Sequence, residues 1–175
     1  MNTSENLRLS TSGTSIWVPD IIISGAQTGA DYGGLLAAKA LGIATGGYAP
    51  LGYRTEAGDK SDLGSVFGLI ELPTHNYTDR TRKNVAMANA IISIAKDFQS
   101  PGTAMTQRWA FGMQVPYFEV PYPALPALEN DFLLEDIRNW LAEHQPSVLM
   151  IAGNRESKAR GIQDWTYAFI RRVFS

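Results

Sequence analysis

Short apolar runs alternate with helix-like patterns from about residue 20 to residue 174. The run at 90–95 is almost continuously apolar, which is typical of a strand buried on both faces of a parallel sheet. Six strands are predicted on this basis, at 21–24, 43–45, 69–72, 90–95, 115–120 and 147–152.

The segments between these strands have apolar residues at helical spacing. In the clearest case, Leu133, Ile137 and Leu141 form a stripe that predicts a face packed in the core. The predicted helices are 30–41, 79–89 with Thr78 as N-cap, a helix from Thr103 as N-cap to about Phe111, one capped by Asn130, and one from about Gly161.

This alternation predicts an α/β fold in three layers: a mainly parallel sheet of about six strands with helices on both faces. We expect a flexible polar tail at 1–19, in which Ile16–Val18 are the first residues to pack, and a single domain at 20–175. The segment 48–65 is predicted to be irregular. It either folds over a ligand or is a solvated charge cluster.

The composition of the chain excludes several classes of function. The chain of 175 residues is 45% hydrophobic and 18% charged, with a net charge of −2, so global charge favours neither nucleic acid nor a membrane as partner. There is no cysteine and no apolar run of ~18 residues. We therefore expect a cytoplasmic protein that binds any anion through local geometry.

The stretch Ile21–Asp31 carries the strongest functional signal. A strand runs into a turn containing Gly25 and Gly29, and a helix follows, as in phosphate-binding βα units. A simpler interpretation is a capping box, with Thr28 as N-cap and Asp31 reaching back. The stretch alone does not decide between the two.

Two further glycine turns, at 99–103 and 153–157, follow predicted strands. Ligands bind at the carboxyl ends of parallel strands, so three such turns favour a binding site. Arg80, Thr81 and Asn84 share one face of a helix and suit an oxyanion.

Motifs for catalysis are weak. The sequence lacks a nucleophile elbow, a Walker A motif and a full dinucleotide fingerprint, and no protein-coordinated metal is expected. Asp31 or Glu156 could serve as an acid or base.

Five blocks in one order, at 24–31, 41–48, 77–85, 101–103 and 151–157, make residues 20–174 similar to the putative molybdenum carrier family. That family is related by circular permutation to the lysine-decarboxylase-like and lonely-guy proteins. The chain departs from its pattern at Ala26, where a glycine is usual, and at Pro101. The segment Pro50–Tyr53 also lacks the usual cationic residues.

The resemblance implies a Rossmann-like fold, a homo-oligomer (dimer or tetramer) and binding of molybdenum cofactor through its phosphate and pterin. The alternative is a nucleotide-binding or nucleotide-hydrolysing enzyme of the lonely-guy type, but Thr106 stands where those relatives need a glutamate. We therefore expect a carrier or sensor of a small phosphorylated ligand or related oxyanion. The predicted ligand-binding residues are Ser24, Gly25, Gln27, Thr28, Gly29, Asp31, Gly46, Gly47, Arg80, Thr81, Asn84, Gly102, Thr103, Thr106, Gly153, Asn154, Arg155, Glu156 and Ser157.

Overall fold

The computed structural model describes residues 6–9, 15–123 and 131–175. Its strands are β1 (Leu7–Leu9), β2 (Ser15–Trp17), β3 (Ile21–Ile23), β4 (Ala44–Gly46), β5 (Tyr48–Ala49), β6 (Arg54–Thr55), β7 (Gly58–Asp59), β8 (Ile70–Glu71), β9 (Ala90–Ala95), β10 (Tyr117–Pro121) and β11 (Val148–Gly153). Its helices are α1 (Ala30–Ala40), α2 (Leu63–Phe67), α3 (Tyr77–Met87), α4 (Pro101–Gly112), α5 (Asp131–His144) and α6 (Ile162–Val173), with a short 3₁₀ turn at Leu51–Tyr53.

The central sheet of the described residues has five parallel strands in the order β10–β9–β11–β3–β4. This confirms the predicted α/β class and the parallel sheet. The sixth predicted strand, at 69–72, is not part of it: β8 pairs with β5 in a separate two-stranded sheet. Strand β11, which is the last strand along the chain, lies between β9 and β3 in the sheet.

Helices cover the two faces of the sheet differently. On one face, α1, α5 and α6 bury a continuous apolar core with Ile92 and Ile151. On the other face, α3 and α4 pack over a smaller cluster that includes Ile91 and Met150. Side chains alternate along a strand, so neighbouring residues of β11 serve different layers.

Three predicted helix caps are wrong. α1 has Gly29 as its N-cap with no side-chain cap, and Asp31 accepts a hydrogen bond from the Gln27 amide at 3.4 Å. α3 begins two residues earlier than predicted, with Asn76 in place of Thr78 as the cap. α4 begins at Pro101 and not after Thr103. Of the three N-cap residues, only Asn76 caps its helix with a side chain; Gly29 at α1 and Ser100 at α4 do not.

The segment 48–65 is more regular than predicted. It contains β5, a 3₁₀ turn, the hairpin of β6 and β7, and the start of α2. The hairpin folds back onto the turn after β3, because the Glu56 amide donates to Gln27 Oε1 at 2.9 Å.

The predicted N-terminal tail contains paired strands, since β1 runs antiparallel to β2. Ile16, Trp17 and Val18 are buried, which confirms their expected packing, and the Trp17 indole donates to the Pro146 carbonyl at 3.1 Å. The boundary at residue 19 stays a prediction. Residues 1–5 and 10–14 of that tail and the Asn130 cap lie outside the described residues.

Candidate functional site

A cavity of about 380 Å³ opens where α3 and α4 begin, above the end of β11. The structure brings eleven of the predicted residues to its wall from four separate segments. They are Gln27, Asp31, Arg80, Thr81, Asn84, Gly102, Thr103, Thr106, Gly153, Asn154 and Arg155.

An ion pair lies in this wall. Arg80 Nη1 is 3.3 Å from Asp31 Oδ2, and the two side chains are only 11% and 10% exposed. Burial raises the pKa of Asp31, although the Arg80 guanidinium and the Gln27 amide oppose the rise. Burial likewise lowers the pKa of Arg80. A Cβ on Gly25 would lie 1.7 Å from Arg80 Nη1, so the glycine makes room for the arginine.

Positive charge surrounds the cavity. Arg80, Arg155 and Lys158 line it, and Asp31 is the one acidic residue among the described residues of its wall. The Tyr77 ring lies against both guanidiniums, with centroid distances of 5.6 Å to Arg80 and 5.3 Å to Arg155. These contacts orient the two arginines in the wall of the cavity.

Two helices begin at the cavity. Tyr77 of α3 and Pro101, Gly102 and Thr103 of α4 all line it. The first amides of a helix have no intrahelical acceptor and carry a partial positive charge, so they favour an anion. A Cβ on Gly102 would meet no atom within 4 Å, which leaves the start of α4 open to a ligand.

The asparagines of the wall are used by the protein itself. Asn154 Oδ1 accepts from the amides of Lys96 and Asp97 at 2.9 and 3.1 Å. Its Nδ2 is within hydrogen-bond distance of the Asp97 carbonyl and of the hydroxyls of Ser100 and Thr103. This side chain therefore holds the turn after β9 in place and has no capacity left for a ligand.

Other predicted polar residues are likewise occupied. Asn84 is fully buried and brackets Tyr48, accepting from its amide at 2.8 Å and donating to its carbonyl at 3.0 Å. The hydroxyls of Thr81 and Thr106 donate to the carbonyls of Tyr77 and Gly102. Asn84 thus joins α3 to β5, and the two threonines bond within the first turns of α3 and α4.

Two donors in the wall have no acceptor. In the part of the chain that the structure describes, neither Gln27 Nε2 nor Arg80 Nε meets a hydrogen-bond partner, although both are buried. Gln27 Oε1 accepts from the amides of Thr28 and Glu56, which only an oxygen can do, so the orientation of the Gln27 amide is determined. Unpaired buried donors are costly, and a ligand oxygen or a water would satisfy them.

The remaining predicted residues lie outside this cavity. Ser24 accepts from the Ala26 amide, and a Cβ on Gly29 or Gly47 would meet the backbone of a neighbouring segment at 2.3 or 2.2 Å. These glycines, with Gly25 and Gly46, let neighbouring parts of the chain pack closely together. Ala26 has a left-handed φ of 55°, a conformation that glycine adopts at less cost than alanine.

Thr28, Glu156 and Ser157 line a second, shallower hollow together with Glu56 and Arg160. Both carboxylate oxygens of Glu156 accept amide hydrogens at the start of α6, from Gly161 and Gln163. Glu156 therefore acts as a helix cap and does not face the first cavity.

Sequence reasoning missed seven residues that line the cavity: Tyr77, Ser100, Pro101, Met105, Met150, Ala152 and Lys158. The alternation along β11 could have identified Met150 and Ala152 as one face, but only the placement of α3 and α4 shows that these two buried residues border a cavity. Lys158 lies directly after the third glycine turn, so its position was the available signal.

The described ranges contain no group of three or more His, Cys, Asp or Glu side chains placed to hold a metal ion. No helix in them is long and apolar enough to cross a membrane.

Residues 22–174 match the Circularly permutated YpsA SLOG family. The solved structure of the putative molybdenum carrier protein from Syntrophus aciditrophicus is 30% identical, has a TM-score of 0.81, and the alignment covers 90% of this chain and 96% of that chain. No curated protein matches. These findings confirm the resemblance and the Rossmann-like fold. The chain belongs to the Circularly permutated YpsA SLOG family.

Proposed function

We propose that the protein is a binding protein, a carrier or sensor, for a small phosphate-bearing ligand or a related oxyanion, and that the ligand occupies the cavity at the start of α3 and α4. The observation that carries this proposal is the combination of three cationic side chains with two helix starts around one cavity. Its volume of about 380 Å³ lies within the range of about 300–1,000 Å³ found for ligand pockets.

Molybdenum cofactor is the first candidate, because the name of the related protein from Syntrophus aciditrophicus refers to molybdenum. The phosphate would be held by Arg155 and Lys158 with the start of α4, and the unpaired donors of Gln27 and Arg80 offer hydrogen bonds to oxygen atoms. Tyr77, Met105 and Met150 supply apolar surface against which a pterin ring can pack. The residues present thus fit the group.

A nucleotide-processing enzyme is the second candidate, favoured by Asp31, whose carboxyl has a raised pKa in the cavity wall. Glu156 does not support it, because both its oxygens cap α6. This candidate requires turnover of a nucleotide such as AMP that is lost in Asp31→Asn. Binding without turnover favours the carrier.

The test is a thermal-shift panel with molybdate, tungstate, phosphate, AMP, ADP-ribose and molybdenum cofactor. A ligand at ~100 times its dissociation constant adds about 2.7 kcal/mol, enough to raise the Tm by several degrees. We expect the shift to disappear in the double variant Arg155→Gln/Lys158→Gln. Arg80 is avoided because its loss would leave the buried Asp31 carboxylate unpaired.

The matched control is Arg82→Gln/Lys60→Gln, which removes the same charge from exposed positions outside the cavity. It should keep the full shift. A shift that both double variants lose equally would indicate general charge attraction, and no shift with any member of the panel would contradict the proposal.

A further inference from the structure

The hairpin of β6 and β7 carries an acidic residue that no sequence motif singled out. Glu56, next to its tip, accepts hydrogen bonds from the Thr28 hydroxyl, from the Ser157 hydroxyl and, at 3.1 Å, from the Ser157 amide. Thr28 belongs to the turn after β3 and Ser157 to the turn after β11. One exposed side chain therefore joins two of the three glycine turns.

The backbone of the same residue reaches the cavity wall. The Glu56 amide donates to Gln27 Oε1 at 2.9 Å, and the Thr28 amide donates to the same oxygen at 3.1 Å. Gln27 Nε2 must then point the other way, where it is buried without a partner in the described part of the chain. The hairpin thus determines how the oxygen and nitrogen ends of the Gln27 amide are oriented in the cavity wall.

The electrostatic surroundings favour the charged form of Glu56. Partial burial alone would raise the pKa of Glu56, but hydrogen bonds from Ser157 and Thr28, with the charge of Arg155, hold that pKa below its usual range. Arg160 and Glu156 also line this hollow, and both oxygens of Glu156 are engaged by amides at the start of α6.

We propose that Glu56 is a positioning residue for the cavity: it ties the hairpin across the turns after β3 and β11 and so holds the Gln27 amide in its binding orientation. This rests on the proposed function for its effect on binding, but the tie itself exists with or without a ligand. The hairpin is then a strap that keeps two loops of the site at a constant separation.

The tie is tested first without any ligand, by amide NMR of the full chain during an acid titration. Both carboxylate oxygens accept these bonds, and protonation would turn one of them into a donor. The tie should therefore hold above the usual glutamate range and weaken as the pH falls through the lowered pKa. The Ser157 amide should report this midpoint, and Glu56→Gln should abolish it. The Gly161 amide, which donates to Glu156, is the control site, and its signal at neutral pH should be the same in the variant as in the wild type.

Binding is then measured by calorimetry with inorganic phosphate and AMP as probes. We expect Glu56→Ala to weaken binding roughly tenfold, as expected for the loss of one well-placed hydrogen bond to a charged ligand. Glu56→Gln should retain most of the affinity, because its amide oxygen can still accept from Ser157. Asp59→Ala, an acidic residue of the same hairpin, is the matched control and should bind as wild type.

Wild-type affinity in Glu56→Ala, or tighter binding, would overturn the proposal, the latter by showing that the carboxylate competes with the ligand. If the wild type binds neither probe, the proposed function loses support, and the side-chain amide signals of Gln27 decide the matter instead. The chemical shifts of these signals should change in Glu56→Ala and remain as in the wild type in Asp59→Ala. Unmoved signals would refute the positioning role.

Discussion

The two faces of the central sheet have the same strands and opposite characters. The face under α1, α5 and α6 is continuously apolar, with Ile151 and Phe169 fully buried. The face under α3 and α4 carries a smaller apolar cluster, and two of its members, Met150 and Ala152, also form part of the cavity wall. In the single strand β11, Ile151 therefore packs in the larger core, and its neighbours Met150 and Ala152 line the candidate site.

The two faces of the sheet differ in how the space above them is filled. On the first face, side chains interlock and leave no room, which is the usual state of a protein interior. On the second face, hydrogen bonds made by two buried asparagines surround a space. Asn84 joins α3 to β5, and Asn154 joins the turn after β9 to the start of α4. If this division is correct, substitutions on the two faces should separate stability from binding.

The largest effect is expected on the closed face. Phe169→Ala should lower the free energy of unfolding by about 3–5 kcal/mol, because it leaves a cavity in a core that cannot collapse around it. Urea unfolding measures this loss. Phe111→Ala, at a position 85% exposed, is the control and should change stability by less than about 0.5 kcal/mol. A similar loss of unfolding free energy in both variants would mean that the burial of Phe169 does not determine its contribution to stability.

A smaller loss is expected for the clamp on the open face. Asn154→Ala should cost about 1–3 kcal/mol, because it leaves the amides of Lys96 and Asp97 without their acceptor. Hydrogen exchange should rise at the start of α4, since the Thr103 hydroxyl loses its contact with Asn154. The exposed Asn139→Ala is the control. Unchanged exchange at α4 would show that Asn154 does not hold this turn.

The smallest effect is a pH dependence from Asp31. Burial outweighs the pull of Arg80 and raises the pKa of Asp31, so the folded state holds this proton more tightly than the unfolded chain does. Its contribution to stability is full below the ordinary aspartate pKa of about 3.9 and is lost as the pH rises through the raised value. The difference in unfolding free energy between wild type and Asp31→Asn should therefore fall with rising pH. A difference that grows with pH would show that Arg80 dominates.

Much of the fold could be predicted because it depends on local patterns. The apolar run at 90–95 and the turns that follow the strands predict a parallel α/β sheet without knowledge of any contact. Helix caps were less predictable. Thr78 and Asn76 are both residue types that cap helices well, and in the folded chain it is Asn76 that caps α3. The strand at 69–72 was recognised but not its partner, which is β5.

The sequence by itself determined the order of the central strands and the larger helices, the glycine turns at the strand ends and the family, since each rests on residues that are close together along the chain. Only the tertiary structure decided which polar residues are free. Asn154 and Arg155 are neighbours, yet one is saturated by the turn after β9 and the other lies in the cavity wall. A hydrogen-bond partner is chosen by contacts between distant segments, and spacing along the chain carries no record of that choice.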